Sequence, residues 1–356
     1  MKKLIIVIVC LLVFCGLVCA GGFAYYKSNL KAVGDDKKVV FVVSQGETSN
    51  TILSNLYKEG LIKNEKVAKI YLKLNKGYNL QAGSYELNSN MDLKEILDII
   101  GSGKAIDNSK KVTFVEGKRI PYFAKVISDN FPYTEEEVMN KLNDQDFIKQ
   151  LIEKYWFITD DVLNEKLYYP LEGYLFPSTY QIKEDATIEE VVYKLLDTTD
   201  SILSKEKEKI EASGWTVHEF LTLASIVELE GASSNDRAGV AGVFMNRLKN
   251  NWTLGSDVTT YYAVKKDFKD ELLWMDLQTC NPYNTSAISN CAFTGLPVGP
   301  ICNPGSDSIN ASINPKDHNY FYFVADKNGK TYFNVDEAGH NKTIADLKNQ
   351  GLWYEY

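Results

Sequence analysis

From Leu4 to Tyr26 the chain carries no charged residue. A helix of that length rises about 1.5 Å per residue and covers the roughly 30 Å of a bilayer core. No other stretch restricts the fold so strongly. Lys2 and Lys3 precede it, and Phe23, Tyr25 and Tyr26 stand where an interfacial aromatic belt lies. The expected order is a cytoplasmic tail at 1–3, a transmembrane helix at 4–26 and everything beyond on the external side. Ala20, Gly21 and Gly22 offer a weak cleavage site, but the apolar run is longer than the core of an ordinary signal peptide, which favours a retained anchor.

The 356 residues allow about two domains, and 45% hydrophobic content builds ordinary cores. A formal charge of -8 argues against nucleic acid as a partner, because phosphate binding needs a basic surface. Of the six cysteines, Cys10, Cys15 and Cys19 fall in the membrane segment. Cys280, Cys291 and Cys302 remain outside, where one disulfide or free thiols are both open readings. The three histidines, His218, His318 and His340, are scattered, so no metal site is expected, and no cofactor.

After a polar tether at 27–38, Val39 to Val43 reads as a strand and Gln45-Gly46-Glu47-Thr48 as a turn. Helices fit Ser49 to Glu59, Glu65 to Leu74 and Asp92 to Ile100, with a strand over Leu80 to Leu87. This is a small α+β module over 39–106, closed by Gly101-Ser102-Gly103. A second domain, 107–356, opens with a strand and turn at Lys111 to Gly117 and a helix from Pro121. Thr134 with Glu137 and Thr187 with Glu190 are capping-box helix starts. Leu171 to Tyr180, rich in aromatics, Gly and Pro, reads as an irregular loop. Asp236 to Lys249 reads as a helix, the chain beyond 250 as loop-rich, and Tyr320 to Asn334 as a hairpin across Lys327-Asn328-Gly329.

Within this domain, Thr216 and Glu219 form another capping box and Gly231 a C-terminal cap, predicting a helix through Glu228. At about 100° per residue Val217, Leu221, Ala224 and Glu228 share one face, while Glu219 and Glu230 lie opposite. A carboxyl among apolar neighbours, near the negative end of the helix dipole, favours its protonated form and suits a general acid. On pattern alone a solvated or ion-paired glutamate is the commoner outcome.

The motifs around Glu228 are Ala224-Ser225-Ile226-Val227-Glu228, Asp236-Arg237, Val240 to Leu248, Leu254-Gly255-Ser256-Asp257, Tyr283-Asn284-Thr285, Gly295 to Ile301 with Asn303-Pro304-Gly305, Tyr322 to Asp326, and His340-Asn341. In this order they resemble the YceG-like family of membrane-bound endolytic murein transglycosylases (MltG type). The resemblance implies an α+β protein with one membrane helix, a LysM-like module and a larger mixed α+β catalytic domain. It implies cleavage of the peptidoglycan glycan between MurNAc and GlcNAc, leaving 1,6-anhydroMurNAc ends, with Glu228 catalytic. Its partners would be glycan strands and the membrane, with a peptidoglycan synthase a further candidate.

Asp257 is the better candidate for a second carboxylate, because Glu230 is rotated about 200° from Glu228. Helix capping explains Asp257 equally well. Tyr283, Asn284, Asn303 and Glu172 are candidate substrate-binding residues, with turn roles the plainer reading. A non-catalytic glycan-binding scaffold and a water-using muramidase are the alternatives.

Overall fold

The computed structural model describes residues 2–353 except 107, 232 and 289, with the side chains of 2–5 and 7–10 set aside. Lys2, Lys3 and Cys10, as side chains, and the expected domain boundary at 107 therefore lie outside the described residues. The chain divides into one unit ending at Asn108 and one beginning at Ser109.

In the first unit, α1 (Lys2–Leu30) is a single helix that runs past Tyr26 into the expected tether. Its Leu11–Leu30 portion is long and apolar enough to cross a membrane by length and composition. The Tyr25 hydroxyl takes a 3.1 Å hydrogen bond from Asn64. Then follow β1 (Lys38–Val43), α2 (Ser49–Lys58), α3 (Glu65–Leu74), β2 (Gly83–Asn88) and α4 (Leu93–Ser102). The strands pair antiparallel, Phe41 opposite Tyr85. Alternation along β1 turns Phe41 and Val43 onto Ile52, Leu53 and Leu56 of α2 and Ile96, Leu97 and Ile100 of α4, forming one small core. Each helix start is fixed by a side chain: Thr48, Asn64 and Asp92 cap α2, α3 and α4.

The second unit begins with β3 (Ser109–Thr113), α5 (Ile120–Asn130), α6 (Glu135–Leu142) and α7 (Gln145–Lys154). It continues through β4 (Thr179–Lys183), α8 (Ile188–Leu203), α9 (Lys207–Ser213), α10 (Val217–Leu229) and α11 (Arg237–Lys249). It ends with α12 (Asp257–Ala263), α13 (Trp274–Leu277), α14 (Ser306–Ile313), β5 (Tyr322–Ala325), β6 (Thr331–Asn334) and α15 (Glu337–Asn349). β3 pairs antiparallel with β4, and β5 with β6 as the expected hairpin. Two expectations need correction. Thr179 and Tyr180 belong to a strand rather than a loop, because β3 supplies a partner distant in sequence. The chain beyond 250 holds α12, α14 and α15 among its loops, short or weakly patterned helices that local periodicity does not disclose.

The capping boxes at Thr134, Thr187 and Thr216 form as expected. The helix that begins at Thr216, α10, is not half-solvated. Val217, Phe220, Leu221 and Ala224 enter a core with α5–α8, whereas Leu223, Ile226 and Val227 enter a second core with Val240, Ala241 and Phe244 of α11. A helix apolar on all sides belongs in an interior, and α10 is the shared wall of both cores. Its buried C-terminal turn presents Glu228.

Candidate active site

Glu228 is 8% exposed, yet its neighbours are not the apolar ones expected from the sequence. The end of α10 packs against α11 and α14, and each supplies donors. Arg237, at the first turn of α11, grips the carboxylate in a two-pronged contact, Nη1 to Oε2 at 3.1 Å and Nη2 to Oε1 at 3.1 Å. Ser308 Oγ donates to Oε2 at 2.8 Å, and the Gly305 backbone N–H, at the start of α14, donates at 3.0 Å. Arg237 Nη1 also reaches Ser308 Oγ at 3.0 Å. Both oxygens are therefore oriented, and a negative charge on them is matched by a planar guanidinium. The serine hydroxyl can donate or accept, so it can serve the carboxylate or the protonated acid.

A second wall comes from Glu116-Gly117-Lys118-Arg119, between β3 and α5. Gly117 adopts φ +72°, a left-handed conformation that favours glycine, and stands beside Glu228, a Cβ built on it lying 3.7 Å from Glu228 Cγ. The Gly117 N–H donates to Asn303 O, and Asn303 N–H to Lys118 O, both at 2.9 Å. The Glu116 carboxylate lies against Gly305, where a Cβ would come within 2.1 Å of Oε2. Burial, then the Glu228 charge, shifts Glu116 above the usual carboxylate range.

Beneath this wall sits Glu172, 1% exposed. Its Oε1 accepts from Ile120 N at 3.1 Å and Asn303 Nδ2 at 2.9 Å, and its Oε2 meets the Tyr262 hydroxyl at 3.0 Å. Burial pushes its carboxyl up to about 8 despite these donors. A protonated Oε2 is accommodated because the tyrosine hydroxyl can turn and accept. Asn303 Oδ1 accepts from Gly173 N and Leu175 N, both at 3.0 Å, which completes its bonding inside the protein. Asn284 is likewise engaged, accepting from Thr260 Oγ1 at 2.7 Å and donating to Thr279 O at 3.0 Å. Tyr283 is fully buried, its hydroxyl accepting from Tyr168 N at 3.2 Å. The structure thus places Glu172, Tyr283, Asn284 and Asn303 in the scaffold under the site, with their polar groups turned inward rather than toward a ligand.

Because Glu172 holds in the folded chain a proton that the unfolded chain releases, its stabilising effect is complete below the unfolded value of 4.5 and is lost as pH rises through about 8. Thermal unfolding should show wild type losing stability across that window relative to Glu172→Gln. Parallel pH profiles would contradict the assignment.

Asp257 and Glu230 lie elsewhere, around a polar cavity of about 250 Å³ with Arg247, Tyr322 and His340. Asp257 is the first residue of α12, and Glu230 accepts a 2.5 Å bond from Ser256 Oγ. Burial raises the Glu230 carboxyl above its ordinary value. Asp257 is not among the groups bonded to Glu228. Cys280 and Cys291 form a disulfide with Cα atoms 5.3 Å apart, and Cys302 is a buried free thiol. Among the described residues no group of three His, Cys, Asp or Glu side chains is placed to hold a metal ion.

Sequence reasoning missed Arg237, Ser308, Gly305 and Glu116 as neighbours of Glu228. Arg237 carried a usable signal, an arginine shortly after a helix that ends in a buried carboxylate. Ser308 carried none.

The site is a buried glutamate at a helix end, clamped by an arginine from the next helix and walled by a glycine turn, in a mixed α+β unit of a chain that begins with an apolar helix. The sequence pattern of the YceG-like family matches residues 41–346, and the chain belongs to that family. It is 37% identical over 330 residues to the endolytic murein transglycosylase of Bacillus subtilis (strain 168), covering 92% of this chain and 90% of that protein. It is 33% identical to the endolytic murein transglycosylase of Streptococcus pneumoniae serotype 2 (strain D39), over 97% of this chain and 66% of the longer relative. The 2.6 Å crystal structure of a YceG-like protein from Listeria monocytogenes superposes with a TM-score of 0.61 at 33% identity, covering 87% of this chain and all of that one.

Proposed function

We propose that this chain is an endolytic murein transglycosylase in which Glu228 acts first as general acid and then as general base. The observation that carries the reading is the Arg237 clamp on a buried glutamate, in a chain similar over most of its length to proteins named for that activity. Glu228 gives its proton to the oxygen leaving muramic acid C1, and the C1–O bond breaks as positive charge builds on the sugar. The carboxylate left behind is stabilised by Arg237, Ser308 and the Gly305 N–H, so charge develops where donors already point. The C6 hydroxyl of the same sugar then attacks C1 and returns its proton to Glu228. The enzyme is regenerated, the product ends in a 1,6-anhydro ring, and water is not consumed.

An attacking group already held by the substrate removes the need for the second carboxylate that most glycosidases use. Asp257→Asn should accordingly change kcat by less than about tenfold and leave the product ends unchanged. Its place in the first turn of α12, where a carboxylate complements the helix dipole, accounts for a loss of that size. A collapse of activity would return Asp257 to the mechanism, and reducing ends would favour hydrolysis.

The same reading takes residues 4–26 as a retained anchor, with the amino terminus cytoplasmic, the 27–38 segment as a spacer, 39–106 as a LysM-like glycan-binding module and 107–356 as the catalytic domain facing the cell wall. The small two-stranded unit with helices from α2 to α4 supports a module of that kind. A peptidoglycan synthase is a fitting neighbour for an enzyme anchored where strands emerge.

A further inference from the structure

A cavity of about 430 Å³ opens beside the Glu228 wall, with Gly117 at its edge. Lys118, Arg119 and Lys265 line it together with Tyr122, Tyr168 and Tyr262. Each cation lies over a ring: Lys118 is 5.9 Å from the Tyr122 centroid, Arg119 5.0 Å from Tyr262 and Lys265 4.4 Å from Tyr168. Among the described residues none of the three stands in an ion pair, although the chain as a whole has a net charge of -8. The one carboxylate on the rim, Asp267, faces Lys269 at 3.6 Å instead. Lys265 holds φ +58° as the left-handed residue that ends α12, its N–H returning to Tyr262 O at 3.1 Å.

These rings do not offer bare faces for a neutral sugar. Their faces are occupied by cations, which the rings position while leaving N–H donors for a ligand. The cavity therefore presents unmatched positive charge in a partly apolar wall, and its ligand is an anion with some apolar body. Its place narrows the choice. Gly117 lines the cavity and stands beside Glu228, a Cβ built on it lying 3.7 Å from Glu228 Cγ, so whatever fills the cavity is attached to, or next to, the sugar being cut.

We propose that this cavity binds the stem peptide of the reacting muramic acid through its carboxylates. The proposal rests on the murein reading above. In murein the muramic acid is the sugar that bears a peptide, and that peptide carries free carboxylates beside short apolar side chains.

The test is a binding comparison with the full-length chain carrying Glu228→Gln, so that no strand is cut. Uncrosslinked strands with intact peptides are compared with the same strands stripped by an amidase, and with strands whose peptide carboxylates are converted to amides. An exposed cation is worth a few fold alone, and three converging on one cavity should give about a tenfold preference for intact strands. That preference should vanish on amidation, weaken with ionic strength, and disappear when Lys118, Arg119 and Lys265 are all changed to Ala. If the triple change lowers the thermal midpoint, Lys265→Ala at its exposed position should still halve the preference, and Lys265→Arg should keep it. Equal affinity for intact and stripped strands, or a preference that survives amidation or the alanine changes, overturns the proposal. Failure of wild type to cut any strand would instead count against the transglycosylase reading, and this comparison does not depend on it.

Discussion

Glu228→Gln is expected to lower strand cleavage by about 10³-fold or more while leaving the protein folded. General acid and base roles are each worth about 10²–10⁴, and the proposed mechanism puts both on one side chain. Glutamine keeps the shape of the carboxyl group and its amide oxygen, at the Oε2 position, can still accept from Arg237, Ser308 and Gly305, while its NH2 meets Arg237 Nη2 donor to donor, so part of the ion pair's stability is lost. It cannot deliver a proton to the leaving oxygen or take one from the C6 hydroxyl. Cleavage is followed by the appearance of new glycan ends, and folding by thermal unfolding beside wild type. Substantial residual turnover with a normal fold would remove Glu228 from the chemistry.

Arg237→Met should damage both activity and stability, and the two losses should separate. The Arg237 and Glu228 side chains are 12% and 5% exposed, so wherever Glu228 is ionised, removing the guanidinium leaves a buried carboxylate without its countercharge. Breaking such a pair from one side costs roughly 3–5 kcal/mol. The loss in kcat should reach about 10²-fold, because in the proposed mechanism the clamp also stabilises the charge formed when Glu228 gives up its proton. Adding Glu228→Gln to Arg237→Met removes the orphaned charge and should recover much of the stability with no recovery of activity. Chemical denaturation of the single and double variants measures the first effect and strand cleavage the second. A stable Arg237→Met protein would mean that the clamp contributes little to the folded state.

Much of the fold is legible where the signal is local. The capping boxes at Thr134, Thr187 and Thr216 mark three helix starts, and the β5–β6 hairpin is announced by Lys327-Asn328-Gly329 between apolar runs. β4 escapes because its partner, β3, lies far back in the sequence. Glu228 stands out because a carboxylate interrupts an apolar helix, although the setting inferred for it was too simple. The helix reads as amphipathic from Glu219 and Glu230, with Glu228 on the apolar side, yet it is the shared wall of two cores and the three carboxylates meet three different environments. Glu219 caps the helix, Glu228 meets Arg237, and Glu230 faces a separate cavity with Asp257.

Site composition is less legible still. Ser308, Gly305 and Glu116 reach Glu228 only because α14 docks on α10 and the β3–α5 turn folds over its end. Nothing in their local sequence encodes that meeting. The opposite error befalls Asn284 and Asn303, whose amides invite a ligand in the sequence and are engaged by the protein's own backbone in the fold.

The central claim is that one glutamate cuts the strand with the substrate's own hydroxyl as nucleophile. It is tested most directly by digesting uncrosslinked glycan strands with the full-length protein in heavy-oxygen water and weighing the new ends. New muramic acid ends one water lighter than reducing ends, with no heavy oxygen incorporated, are the expected result. Reducing ends carrying the heavy isotope would contradict the account and make the enzyme a hydrolase.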